Sequence, residues 1–222
     1  MGAIVLLSGG QDSATAALWM RKNLEGPYVA ITFRYGQRHV VELEAARAVA
    51  EALGIQQVIL DIGPLWGLLE VESALTSEKE IKVGEGGLPT TFVPGRNLVF
   101  LLLAAVWAYP RGYRHLVIGA NEVDYSGYPD CRGPFLEAAQ RAISLALDEP
   151  YWVHVPFLRW NKAALWRYAA EEGALDLIRE KTHTCYRGVR EVLHPWGYGC
   201  GVCPACELRR RGYEEAFGAG AG

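Results

Sequence analysis

The chain has 222 residues, of which 50% are hydrophobic and 21% charged, with a formal net charge of −3. That size accommodates one α/β core plus a small appendage, and the slightly acidic balance argues against a dedicated nucleic-acid binder, whose footprint is basic. The longest apolar stretch, Leu98 to Trp107, is about half of the ~20 residues that a bilayer span requires. Met1-Gly2-Ala3 runs straight into a strand-like segment, so no leader is expected and the chain reads as cytoplasmic.

In chain order, apolar runs at Ala3–Leu7, Tyr28–Phe33, Gln57–Leu60, Leu116–Gly119 and Tyr151–Val155 predict strands. Helical patterns fall between and after them, at Ser13–Asn23, Val40–Leu53, Arg96–Tyr109, Phe135–Leu147 and Lys162–Glu172. Such alternation predicts a doubly wound, mostly parallel five-stranded sheet. Ligands of these sheets sit at the carboxyl ends of the strands, near a reversal of strand order. Three polar loops leave such ends: Ser8–Ser13, Arg34–His39 and Asn121–Arg132. Gly63 to Pro94 breaks the rhythm with a charged stretch and a glycine-rich one, and predicts a mobile flap or excursion. The end, Gly218-Ala-Gly-Ala-Gly222, reads as a frayed tail.

Ser8-Gly-Gly-Gln-Asp-Ser13 joins the first strand to the first helix. The unpaired N–H groups of the helix start point outward there and the macrodipole adds partial positive charge. Two glycines let consecutive N–H groups converge and two serine hydroxyls add donors, which makes a cradle for phosphate oxygens. An aspartate inside such a cradle makes sense if Asp12 helps to hold a magnesium ion that arrives with the phosphates. The plain alternative is an ordinary turn in which Ser8 or Asp12 caps the helix. Neither G-x-x-x-x-G-K-[ST] nor G-x-G-x-x-G occurs in the chain.

Four of the five cysteines crowd the C-terminus, Cys185 and then Cys200, Cys203 and Cys206. Four soft donors so close in sequence suit a tetrahedral zinc ion with no open position, a structural site able to fold a short, loop-rich tail. An iron–sulfur cluster is the stronger rival; disulfides fit an odd total and a cytosolic chain poorly. His183 and His194 could each replace a thiolate, but with four cysteines present they are expected at the surface or in the pocket. Cys131 stands apart in a polar loop and is expected to line the pocket without attacking anything.

Serine-glycine-glycine-x-aspartate-serine resembles the PP-loop of ATP pyrophosphatases. Taken with Tyr35-Gly-Gln-Arg-His39, Phe92-Val-Pro-Gly-Arg-Asn97, Asp124-Tyr-Ser-Gly-Tyr-Pro-Asp-Cys-Arg132, Lys181-Thr-His-Thr-Cys185 and the cysteine triplet, it resembles the 7-cyano-7-deazaguanine synthase (QueC) family. The resemblance implies an adenine-nucleotide α-hydrolase-like fold and an ATP-dependent ligase that converts 7-carboxy-7-deazaguanine and ammonia to the 7-cyano base, on the route to queuosine. It further implies zinc on Cys185, Cys200, Cys203 and Cys206, and a homodimer. On this reading residues 1–180 are the PP-loop domain, 181–217 the zinc-binding region and 218–222 the tail. The fourteen residues from Tyr186 to Gly199 make a longer gap than the family pattern has, a change whose entropic cost is small.

The reaction so implied activates a carboxylate as its adenylate, lets ammonia displace AMP, and activates the amide with a second ATP. Negative charge develops on leaving pyrophosphate, so electrostatic stabilisation is the main task. ATP is then expected on Leu7, Ser8, Gly9, Gly10, Gln11, Asp12 and Ser13, and along Ala14, Thr15, Ala16 and Ala17. Asp12 with Mg2+, Arg38 and Arg96 are candidates for the phosphate and carboxylate charge, and His39 for accepting a proton from ammonium. Tyr35, Gln37, Asn97, Asp124, Tyr125, Asp130 and Arg132 are expected around the base, with Tyr35, Tyr125 and Tyr128 as stacking faces. ATP, Mg2+ and Zn2+ are the expected cofactors, with no direct contact to nucleic acid or membrane. The alternatives are a PP-loop ligase of another carboxylate, a tRNA-modifying enzyme, and a catalytically silent zinc-binding module.

Overall fold

A computed structural model describes residues 1–37, 40–69, 73–74, 88–123 and 127–218. Strands β1 (Gly2–Leu6), β2 (Tyr28–Arg34), β3 (Gln56–Asp61), β4 (Tyr113–Ile118) and β5 (Trp152–His154) form one sheet in the order β3-β2-β1-β4-β5. Every neighbouring pair is parallel. Leu6 pairs with Ile31 on one side and Ile118 on the other, so β1 and β4 end level while β2 runs on to Arg34. The order reverses between β1 and β4, which opens a crevice beyond their carboxyl ends.

β1 is buried throughout because helices cover both faces of the sheet. Alternation along it feeds two cores: Ala3, Val5 and Leu7 face one, Ile4 and Leu6 the other. The first core takes α1 (Gln11–Asn23), α2 (Val41–Ala52), α6 (Lys162–Glu171) and α7 (Pro204–Phe217) through Met20, Val49, Trp166 and Tyr213. The second takes α3 (Gly63–Leu68), α4 (Arg96–Ala108) and α5 (Gly133–Leu147) through Trp66, Leu101 and Leu136. The doubly wound five-stranded sheet is the one the alternation predicts.

Two regions differ from expectation. Pro204–Phe217 is a helix of 14 residues, not a loop-rich tail. Pro204 suits its first turn, Glu207-Leu-Arg-Arg-Arg211 propagates it, and Tyr213 docks edge-on against Trp166. Between Cys185 and Cys200 the longer gap is filled by a small antiparallel hairpin, β6 (Leu193–His194) with β7 (Gly197–Tyr198). The excursion after β3 begins with α3, whose Trp66 is buried; residues 70–72 and 75–87 of it lie outside the described residues, as does the tail from 219.

Two glycines mark close approaches around the β1–α1 corner. At Gly9 (φ +86°) a Cβ would meet the Glu42 carbonyl at 2.4 Å and the Ala46 nitrogen at 2.6 Å. At Gly119, just after β4, it would lie 2.6 Å from both the Asp12 carbonyl carbon and the Ser13 nitrogen. Backbone cannot yield as a side chain can. Gly119→Ala is therefore expected to destabilise the fold by ~1–3 kcal/mol, read as a fall of roughly 3–10 °C in Tm by calorimetry; an unchanged Tm would show that the corner is less tightly packed than this.

Candidate active site

A cavity of about 500 Å3 opens at the carboxyl ends of β1, β2 and β4. One wall is the corner between β1 and α1. Gly10 caps α1 with no side-chain hydrogen bond, which leaves the first-turn N–H groups without a side-chain acceptor. Ser13 Oγ donates to the Gly10 carbonyl (3.1 Å), accepts from the Ser8 N–H (3.2 Å) and lies 3.0 Å from Ser8 Oγ. Gln11 also lines the cavity at 1% exposure, and both polar atoms of its amide lack a hydrogen-bond partner. A buried amide left open is costly, and its place here suits a polar ligand.

Asp12 has company that its surroundings in sequence do not announce. Lys162 Nζ donates to both of its carboxylate oxygens at 2.6 Å. Lys162 opens α6, where Asn161 Oδ1 accepts the Ala164 N–H and fixes the helix start. The loop after β5 thus delivers a cation to the β1–α1 corner.

The opposite wall holds Tyr35, Gln37, Glu42, Thr91, Arg96, Asn97 and Tyr128. Gln37 folds back on β2, accepting the Tyr35 N–H and donating to the Phe33 carbonyl. Asp130 lies behind this wall: it accepts the Asn97 N–H at 2.9 Å and so caps α4, while Asn97 Nδ2 donates to the Asp130 carbonyl. Arg96 lies 6.0 Å over the Tyr128 ring. Burial disfavours its charge, but Tyr35, Tyr128, Asp130 and Cys131 together raise its pKa. Burial pushes Glu42 up to about 7, against the pull of Arg96. Cys131, pushed up to about 11 chiefly by burial, stays a thiol near neutrality.

The structure brings Leu7, Ser8, Gly10, Gln11, Asp12, Ser13, Tyr35, Gln37, Arg96, Asn97, Tyr128 and Cys131 to this one cavity. Gly9, Ala14, Thr15, Ala16 and Ala17 are buried just behind its wall. Arg132 is exposed and outside the lining, its guanidinium donating to the Gly127 carbonyl. Arg38, His39, Asp124 and Tyr125 lie outside the described residues. The sequence reading missed Glu42, Lys162, Thr184 and Arg209 as lining residues. A signal existed only for Lys162, a lone cation just after the loop that leaves β5.

At the C-terminal end the ligand atoms of Cys185, Cys200, Cys203 and Cys206 all lie within 4.8 Å of one another, and none is in a disulfide. Tetrahedral bonds of ~2.3 Å place sulfurs ~3.8 Å apart, so this set fits a single metal ion. Beside it sits Arg209, 1% exposed, donating to the carbonyls of Trp196 and Ile178 and to Thr184 Oγ1. Burial lowers its pKa to about 10, yet it stays charged near neutrality, partly through Cys206 and Asp12. No carboxylate within ion-pair distance balances that charge among the described residues. Cysteine thiolates gathered on a metal would do so.

Comparison with known proteins agrees with this geometry. The family model described as "Queuosine biosynthesis protein QueC" matches residues 2–217. A protein from Nitratidesulfovibrio vulgaris (strain DP4) named 7-cyano-7-deazaguanine synthase is 46% identical over 235 residues, covering 98% of this chain and 94% of its own. One of the same name from Bacillus subtilis (strain 168) is 47% identical over 214 residues, covering 96% and 94%. The fold is shared more distantly by the U34-tRNA thiolase NcsA from Methanococcus maripaludis (TM-score 0.51, 16% identity, 97% of this chain and 65% of that one). The chain belongs to the QueC family.

Proposed function

We propose that this protein is an ATP-dependent ligase that turns 7-carboxy-7-deazaguanine and ammonia into 7-cyano-7-deazaguanine, with release of AMP and pyrophosphate. The observation that carries the reading is the identity, near 46% and nearly end to end, with relatives of that name. The cavity supports it, since one wall offers phosphate donors and the other aromatic faces with an arginine.

A free carboxylate cannot expel oxide, so its oxygen attacks the α-phosphorus of ATP and pyrophosphate leaves. The N–H groups from Ser8 to Ser13 and the two serine hydroxyls receive that leaving group, and Lys162 adds a positive charge beside it. Asp12 is the residue to hold Mg2+, which when bound screens the phosphate charge. Arg96 is assigned to the substrate carboxylate, Tyr35 and Tyr128 to the ring faces, and Gln37 and Asn97 to polar edges of the base. Ammonia then displaces AMP, and a second ATP activates the amide oxygen before the nitrile forms.

Zn2+ is assigned to the four cysteines. The thiols cluster tightly enough for one tetrahedral ion, whereas a cubane cluster takes its four thiolates at separate corners and spreads them wider. We place the protein in the cytoplasm as a homodimer; no helix among the described residues is long and apolar enough to cross a membrane. Support for the dimer comes from α4, which buries Leu101 and Ala105 yet exposes Leu98, Leu102 and Val106, with exposed Tyr109 just past its end. A helix apolar on all sides calls for cover on all sides.

Replacing Asp12 or Lys162 with Ala is expected to lower AMP formation ~10²–10³-fold with metal content unchanged, by quantified nucleotide release and elemental analysis; normal turnover by either variant would remove that residue from the mechanism. Elemental analysis of the intact protein should find one zinc per chain and no iron. Cys203→Ser should lose the ion and, at a cost of ~5 kcal/mol or more, lower Tm by roughly 10–20 °C. Val106→Glu should give a monomer by sedimentation, and a dimer that persists would place the interface elsewhere.

A further inference from the structure

Of the described side chains that line the cavity, two carry carboxylates, Asp12 and Glu42. Lys162 engages the first. Among the described residues the second has no hydrogen bond or ion pair in contact; its electrostatic neighbours are Arg96 at the start of α4 and Tyr35 just after β2. Arg38 and His39, a few residues before it, lie outside the described residues. Glu42 is the second residue of α2, and its carbonyl is the group that closes on Gly9. Its backbone is thereby held against the phosphate corner while its side chain lines the cavity opposite Asp12.

A carboxylate so placed, part-buried and with no cation in contact among the described residues, is expensive to ionise. A small cation that enters the cavity relieves the cost. Mg2+ arrives with the phosphates and is assigned to Asp12 on the other wall, whereas the Glu42 carboxylate beside the Tyr35 phenol suits a monovalent donor with several N–H groups. Ammonium is such a donor. On the ligase reading above, it is also the substrate for which no described residue has yet been given a role.

We propose that Glu42 seats ammonium beside the adenylated carboxyl group and takes a proton from it. The carboxylate of Glu42 becomes a carboxylic acid and ammonia is left with a free electron pair. That pair forms the C–N bond at the acyl carbon, the C–O bond to AMP breaks, and its electrons leave on the phosphate oxygen. A second proton passes from nitrogen to the departing phosphate or to water, and Glu42 returns its own proton to water before the next turnover. An acid held near 7 is half ionised at neutral pH, which suits both taking the proton and releasing it.

The test separates activation from capture. Exchange of labelled pyrophosphate into ATP, with 7-carboxy-7-deazaguanine and no ammonium, reports adenylation alone. Glu42→Gln should exchange within about threefold of the unmodified protein, yet form product from ammonium ~10²–10⁴-fold more slowly. Hydroxylamine, largely uncharged at neutral pH, needs no such proton acceptor and should give the hydroxamate at nearly equal rates with both proteins. The unmodified rate with ammonium should rise with pH and bend toward a plateau above about 7, whereas the variant, left to free ammonia, should keep rising with no bend there. The fold has its own control. Because the folded pKa of Glu42 is raised above its ordinary value, the unmodified protein loses stability as pH rises from about 4.5 to about 7, so at pH 8 the variant should melt no lower than it. Exchange and product formation that fall together, an equal loss with hydroxylamine, or an unchanged ammonium rate would each overturn the assignment. Absence of exchange in the unmodified protein would overturn the ligase reading itself, and this assignment with it.

Discussion

One main-chain hydrogen bond ties the two ends of this molecule together: the His183 N–H donates to the Gly9 carbonyl at 2.9 Å. Gly9 can offer that carbonyl because it is a glycine at positive φ, with α2 packed where a side chain would be. His183 can reach it because Cys185, two residues on, joins the thiol cluster. The cluster and the β1–α1 corner are therefore neighbours along the backbone, and the residues between them, His183 and Thr184, line the cavity. A metal ion that fixed the cysteines would also fix one wall of the cavity, and four thiolates on one tetrahedral ion would leave no position open for chemistry.

Arg209 extends the same coupling in charge. Its three donors hold the carbonyls of Ile178 and Trp196 and the Thr184 hydroxyl, and its plane lies over the Trp166 ring at 5.4 Å. A buried guanidinium with no carboxylate in contact among the described residues is tolerable with the cysteine cluster close by and Asp12 as a further electrostatic neighbour. It lines the cavity as well. Lys162, Arg96 and Arg209 thus bring positive charge to the cavity from three different elements, in a chain whose total charge is negative. The local field, not the net charge, is what a triphosphate meets.

Much of this was legible in the residues, and the reason is geometric. A strand that ends in Ser8-Gly-Gly and opens a helix has few ways to place its N–H groups, and parallel α/β alternation fixes which rim of the sheet that corner occupies. Cysteine chemistry is equally local. What escaped was every contact made by ordinary residues at long range. Glu42 reads as a surface glutamate in the first turn of an amphipathic helix, and only the packing of α2 on Gly9 turns it inward. Arg209 sits in a run of three arginines, and the docking of α7 against Trp166 decides which one is buried. The helix that carries it reads as loop because the Gly and Pro residues beside the cysteines mask the helix formers that follow.

The placement of Glu42 on α2 also bears on the order of events. Adenylation must come before capture, since ammonia cannot displace oxide from a free carboxylate. A proton acceptor on an independent loop could be poised or not, whatever the state of the nucleotide. One whose own carbonyl packs against Gly9 cannot move far without disturbing the β1–α1 corner. Gly119 presses on the same corner from beneath, at the peptide between Asp12 and Ser13. On the proposal above, the acceptor for ammonium and the donors for the leaving group are built on one packed unit, which holds their separation through both activations.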